Sequence, residues 1–531
     1  MQNAEIQKKH IVEFFLKQGF LISHDFLQRL EDKDFFSDVC KLVQSKNPNQ
    51  IVVLSKESRE FLNTENTQLN WREMEKIEAI LEKKGKNNSL NTLMMEKIIS
   101  KEPKNTDDDF NVKIVFSYKG NPKKRESQDF IEYFNARYKS LIKVLKQRQE
   151  LQNTLSIGRL LGKKDRDQVA FTGMIRDKKY TKNGNCILTM EDETGYIKVV
   201  ISKNRPDLFK LSKDIVLDEV LGILGVNGDK IVFCNSLVFP EIPNNKETKK
   251  SADESYIIFL SDLHVGSKNF LEEDFNRFLR WINQDMGNET QRQIASKVRY
   301  IFIVGDLVDG CGVYPDQEKE LEIKDIKEQY KKCAFLLAQI PKNMKLIICP
   351  GNHDAMRVAE PQLPIYRDFA EPLYNLQNAI IVSNPAVVNI HSTEKFSGFD
   401  ILLYHGYSFD FYVAEVDSIR NKGGYDRADL IMKFLLQKRH LAPTHKSTLY
   451  IPDIEEDPLV ISKVPDFFVS GHIHKAAAAN YRNTTLISGS CWQSKTAFQE
   501  KMGHKPEPSR VPIVNLQTRE IKMLRFGKQN E

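Results

Sequence analysis

Five short apolar runs between residues 256 and 474 each end in side chains able to bind metal, and no other feature of the 531-residue chain constrains its fold as strongly. YIIFLSDLHVG ends in Asp262 and His264, YIFIVGDLVDG in Asp306 and Asp309, and LIICPGNHD in Asn352, His353 and Asp354. DILLYHGYSFD ends in His405, and DFFVSGHIHKA in His472 and His474. Continuous apolar runs of this length predict strands buried on both faces. Between the first two runs, Leu271, Phe275, Phe278, Leu279 and Ile282 have helical spacing; Ile323, Ile326, Tyr330 and Leu337 repeat it between the next two. Strands alternating with helices predict an α/β layered domain. Ligands of such sheets bind beyond the carboxyl ends of the strands, where these polar residues fall.

A single Asp or His after a strand is ordinarily a cap or a satisfied core residue. Five such endings in one domain are another matter, because burying that many unpaired polar groups is costly without a cation. Five of the chain's 11 histidines lie in these runs, beside carboxylates and one asparagine. Nitrogen with carboxylate and amide oxygen, and no thiolate, is a borderline-hard ligand set. Seven ligands with one shared suffice for two metals of four protein contacts each. Two cations roughly 3.5–4 Å apart can clamp the attacking and leaving oxygens of a phosphoryl centre.

The rest of the chain reads as accessory domains, giving a multidomain α+β protein. Residues 1–75 form an N-terminal helical unit, with apolar spacing in IVEFFLKQGFLISHDFLQRL; residues 76–125 read as a linker. Residues 126–242 carry a helix followed by short strands with turns at Asn183-Gly184 and Thr194-Gly195, which suggests an OB-fold β-barrel. Phe130, Phe134, Tyr138, Leu141, Ile142 and Leu145 fit one helix face. From Lys119 to Arg166 there are 13 basic and 5 acidic residues. That excess is either a solvated helix face or a patch that meets nucleic-acid backbone. The barrel offers Phe171, Tyr180 and Tyr196 as stacking candidates, so a structural role for it is at least as well supported as direct strand binding. Residues 243–255 read as a second linker, and residues 256–531 as the α/β domain. No apolar run is long enough to span a membrane, and MQNAEIQKKH lacks a signal core, so a cytoplasmic protein without membrane partners is expected. Seven scattered cysteines without a CxxC imply reduced thiols. A net charge of +6 permits a polyanionic partner without demonstrating one.

The series D-x-H, G-D, G-N-H-D, H-G and G-H-x-H resembles the calcineurin-like metallophosphoesterase superfamily. That resemblance implies that Asp262, His264, Asp306 and His474 hold one metal, and that Asp306, Asn352, His405 and His472 hold the other. It further implies a bridging hydroxide that attacks phosphorus, and a His353 that is no ligand but faces the phosphate and protonates the leaving oxygen. Asp354 is expected to orient His353. The arginine that grips phosphate in serine/threonine phosphatases is missing, since Asp309 is followed by Gly310 and Cys311. SDLHVGS, PGNHDAMRVAEPQ, YHGYSFD, GHIHKA and the stretch from GSCWQSK to VPIVNL extend the resemblance to the small subunits of archaeal family-D DNA polymerases. This implies a two-metal 3′→5′ proofreading exonuclease acting on single-stranded or primer-template DNA beside a large catalytic subunit. Two divalent ions are implied: manganese is favoured, and magnesium, iron and zinc are compatible. A stand-alone repair nuclease or cyclic phosphodiesterase, and a non-catalytic assembly subunit, are the competing readings. Arg357 either grips a DNA phosphate or pairs with Glu360; Cys349 reads as a core thiol; Trp492 and Phe498 form either a partner surface or core. His391, His440, His445 and His504 read as non-ligands.

Overall fold

The computed structural model describes residues 20–22, 52–54 and 111–527, apart from 121–122, 165, 454 and 502–503. The chain divides into two compact units, residues 1–94 and 95–531. In the first unit, β1 (Phe20–Ile22) pairs in parallel with β2 (Val52–Leu54). The expected helical unit is therefore interrupted by a strand at the β-prone run FLI. The rest of that expectation, and the linker up to residue 110, fall outside the described residues.

The last residues of the expected linker form a strand. β3 (Val112–Ser117) adds antiparallel to a strand of the α/β domain, Val112 opposite Ile390 and Ser117 opposite Ala386. It is an edge strand whose Ile114 and Val115 are largely exposed.

The basic helix α1 (Ser127–Leu145) is a wedge with two buried faces. Tyr138, Leu141 and Leu145 pack on the barrel residues Met174 and Val220. Tyr133 and Arg137, which the apolar-face reading left outside, are fully buried against the α/β domain. Arg137 Nε donates to Asp457 at 2.6 Å and its Nη1 to the Pro443 carbonyl at 2.7 Å; Tyr133 donates to the other Asp457 oxygen at 2.8 Å. The fourth member, His440, places Nε2 2.7 Å from Asp457.

The expected barrel is present and closed in the order β4 (Gln168–Tyr180), β5 (Cys186–Asp192), β6 (Gly195–Ile201), β8 (Ile231–Val238), β7 (Val220–Asn227). Phe171 is core, not a stacking surface, whereas Tyr180, Tyr196 and also Phe233 are more than half exposed.

The α/β domain is two six-stranded sheets face to face, with helices outside. One sheet runs β12 (Ala379–Ile381), β11 (Lys345–Cys349), β10 (Val298–Val304), β9 (Tyr256–Leu260), β18 (Arg510–Asn515), β19 (Ile521–Arg525). The other runs β16 (Ala477–Tyr481), β17 (Thr484–Ser488), β15 (Phe467–Ser470), β14 (Phe399–Leu403), β13 (Ala386–Ile390), β3. Alternation sends Ile257 and Phe259 to the core between the sheets and Ile258 and Leu260 to the helix side. Both faces are thus apolar, which is why the runs read as continuous. The carboxyl ends of β9, β10, β11, β14 and β15 open on one edge of the sandwich, and all five motifs follow them.

Candidate metal centre

Five of the seven expected ligands have left-handed backbone: φ is 52° at Asp262, 51° at His264, 51° at Asp306, 70° at His472 and 55° at His474. Such conformations are unfavourable for residues with a Cβ and persist only where the surroundings impose them. Here each one turns a side chain back across the mouth of the sandwich as its strand ends. The glycine before Asn352 serves the same crowding. A Cβ on Gly351 would collide with the Asp306 carboxylate and main-chain nitrogen, so this turn must be bare.

The donors converge in overlapping groups. Asp262, His264 and His474 place ligand atoms within 4.8 Å of one another, and so do Asp306, His405 and His472. Asn352 Oδ1 lies 3.1 Å from His405 Nε2 and 3.0 Å from His472 Nδ1. Asp306 Oδ2 is 3.2 Å from His405 Nε2 and 3.9 Å from His264 Nε2, so this carboxylate lies between the two groups. The two lobes are also braced together, since the His472 main-chain N–H donates to the Asp262 carboxylate at 3.0 Å.

Outer hydrogen bonds fix which nitrogen of each imidazole faces inward. His405 Nδ1 lies 2.9 Å from the Val304 carbonyl, which can only accept; Nδ1 carries the proton and Nε2 turns its lone pair inward. His264 gives Nδ1 to Asp309 at 3.1 Å, and His472 gives Nε2 to Asp410 at 3.0 Å. His474 Nδ1 is held 2.9 Å from the Gln499 amide. Three inward lone pairs then face oxygens or another imidazole nitrogen, an arrangement that needs a positive charge at its centre. A proton supplies it in part: burial lowers the His405 pKa, but the Asp306 and Asp262 carboxylates outweigh it and raise it to about 10. Burial likewise opposes ionisation of Asp306, but the facing imidazoles of His405, His353 and His264 hold that carboxyl well below its usual range. Divalent cations fit the same donors, with neutral nitrogen, carboxylate and amide oxygen, an outer carboxylate or carbonyl behind His264, His405 and His472, and the Gln499 amide behind His474.

The comparisons with known proteins agree with this geometry. Residues 255–476 match the calcineurin-like phosphoesterase family, and residues 169–226 match the OB-fold nucleic acid binding domain. The DNA polymerase II small subunit of Methanothermobacter thermautotrophicus is 40% identical over 76% of this chain and 80% of its own length. The chain belongs to the DNA polymerase II small subunit family. The small subunits of Methanocaldococcus jannaschii and Pyrococcus furiosus are 38% and 37% identical over 73% and 77% of this chain. This chain spans 64% and 65% of those two relatives.

Two expectations about this small-subunit site are corrected by the atoms. Asp354 does not touch His353. Its oxygens accept from the Gly351 N–H at 2.8 Å and from Tyr330 at 2.9 Å, and lie 3.4 Å from the Leu307 N–H. Burial and the Asp306 charge push its carboxyl up to about 7. It staples the Gly351–Asn352 turn from behind. His353 is oriented instead by the Asp309 carbonyl, 2.7 Å from Nδ1, while its main-chain N–H donates to Asp306 at 2.8 Å. Its ring also falls in a group with His264 and Asp306 within 4.8 Å, so Nε2 is the nitrogen it has left for chemistry. Arg357 reaches the Pro361 carbonyl at 2.6 Å and lies over the Tyr118 ring, while the Glu360 carboxylate accepts from Tyr404 at 3.0 Å. Trp492 and Cys349 are core, as one reading of each held, and the Phe498 side chain lies outside the described set.

The outer residues carry weaker sequence signals than the donors they support. Asp309 accepts from His264, Gln317 and Gln493, and Asp410 holds His472. Asp309 is visible in G-D-x-x-D, but Gln493 and Gln499 follow none of the five ligand-bearing strands. Among the described residues, no helix is long and apolar enough to cross a membrane.

Proposed function

We propose that this chain is the small subunit of a heteromeric archaeal replicative DNA polymerase and supplies its 3′→5′ proofreading exonuclease. Under this reading it works in the cytoplasm beside a large catalytic subunit and acts on single-stranded or primer-template DNA. The observation that carries it is the complete donor set, with a free imidazole beside it. Five of the seven candidate donors, His264, Asp306, Asn352, His472 and His474, line one pocket of about 290 Å³ together with His353, and Asp262 and His405 lie within 4.8 Å of members of that set. Asp262, His264, Asp306 and His474 would hold one divalent ion; Asp306, Asn352, His405 and His472 would hold the second. When bound, the pair supplies Lewis-acid charge to a phosphodiester and lowers the pKa of water.

The remaining work falls to the chain. Nδ1–H of His353 is committed to the Asp309 carbonyl, so Nε2 alone gives up or takes a proton. Burial lowers the His353 pKa, which makes that proton easier to release to a leaving oxygen. Asp309 thereby orients two rings at once, His264 through its side chain and His353 through its carbonyl.

The test is hydrolysis of 3′-labelled single-stranded DNA with manganese, with and without the large subunit. Wild-type protein should shorten the strand from its 3′ end, and Asp306→Ala and His353→Ala should not. Intact DNA in both settings refutes the nuclease reading, and cleavage of cyclic nucleotides alone favours a small-molecule phosphodiesterase.

A further inference from the structure

Beside the metal pocket lies a wider groove of about 640 Å³ that no ligand residue lines. Its size falls within the roughly 300–1,000 Å³ usual for ligand sites. Its walls are aromatic and come from three parts of the chain: Phe130 of the basic helix, Tyr407 and Phe411 after the fourth motif, and His445 with Tyr450 from the segment beyond α2 (Ala428–Lys438). The rings are organised. His445 stacks on Tyr450 with centroids 5.2 Å apart and planes 11° from parallel. Phe130 and Phe134 meet the His445 ring edge-on at 6.0 and 5.9 Å. His445 itself is exposed, and so are its neighbours Lys446 and Leu449.

The groove and the metal pocket share two residues, Tyr407 and Asp410. The Tyr407 ring is 5.8 Å from that of His472. Asp410 has its carboxylate turned to His472, so the negative charge at the junction is spent on an imidazole. Lys446 lines the groove and is exposed, and three further basic residues, Lys123, Lys124 and Arg125, directly precede the helix that carries Phe130. Aromatic faces for bases, with basic side chains for phosphates, form the composition that holds single strands without sequence preference.

We propose that this groove binds the single-stranded DNA next to the nucleotide being removed, stacking its bases on His445 and the adjoining rings. The proposal rests on the nuclease reading above, and it deepens that reading by assigning the path of the strand. A segment of a partner protein is the competing occupant. The continuity with the metal pocket and the basic flank favour the nucleic acid.

The test uses the full chain in EDTA, so that the strand stays intact whatever the fate of the nuclease reading. An oligothymidylate dodecamer carries a single 2-aminopurine near its 3′ end. Wild-type protein should quench the fluorophore by stacking. His445→Ala should abolish the quench and weaken binding about tenfold, the size of one lost base–aromatic contact. Lys446→Glu, which alters only an exposed side chain, should weaken binding and reduce the slope of log affinity against log salt by about one. Wild-type affinity and quench in both variants overturn the proposal. Loss of large-subunit co-purification with DNA binding intact also overturns it and gives the groove to a protein.

Discussion

Replacing Arg137 by methionine should cost the chain several kcal/mol at neutral pH and much less in mild acid. Arg137 and Asp457 have no exposed side-chain surface, and the guanidinium also satisfies the Pro443 carbonyl. Removing one partner of a buried pair typically costs about 3–5 kcal/mol, because the other charge is left behind. The acid arm follows from His440. Burial, and then the Arg137 charge, lower its pKa from 6.5 to about 4. In wild-type protein the unfolded chain therefore takes up this proton first as pH falls. Stability is full above about 6.5 and declines towards 4, by roughly 3 kcal/mol from this group. Without Arg137 the imidazole faces only Asp457, gains a proton readily and replaces the missing cation. The variant's deficit should thus shrink between pH 7.5 and 5. Urea unfolding at the two values measures it. A deficit under about 1 kcal/mol at pH 7.5, or one that grows at pH 5, refutes the assignment of Arg137 as the charge that keeps His440 neutral.

Three further outcomes are expected. His353→Ala should retain both metals but lose turnover, whereas His472→Ala should lose metal; elemental analysis showing equal loss in both refutes this division of roles. Asp309→Ala should weaken metal binding about 10–100-fold by releasing His264, read by competition with a chromophoric chelator. Gly351→Ala should lower both metal content and the thermal unfolding midpoint, since the new methyl meets the Asp306 carboxylate and its main-chain nitrogen; unchanged values of both refute the close approach.

The sandwich was legible because strands buried on both faces need unbroken apolar runs, and the candidate ligands because each stands directly after such a run. The structure brings all seven side chains into overlapping groups at one edge of the sandwich. What stayed hidden depended on partners remote in sequence. Arg137 is counted among basic residues on an amphipathic helix, yet its partner lies 320 positions away. The strand Val112–Ser117 borders a polar stretch and exposes Ile114 and Val115, so it reads as linker; only the neighbouring strand Ala386–Ile390 makes it a strand. Asp354 stands beside His353 in sequence, which suggested a contact, but adjacent side chains at a tight turn point apart, and Asp354 faces Tyr330. No pattern of residue types announces five left-handed ligands.

The pairing of β9 bears on how the protein is made. Asp262 and His264 follow that strand, and β9 lies between β10 and β18. β18 pairs with it through Ile513 opposite Ile258 and Val514 opposite Ile257. A ribosome emits β9 about 250 residues before β18. Until then the strand that precedes Asp262 and His264 has one edge of its backbone unpaired, although the last of the seven candidate ligands, His474, has already been synthesised. The sheet that carries the candidate metal centre is therefore completed late, and a nascent chain stalled before residue 510 should expose an open sheet edge beside a half-braced cluster of histidines.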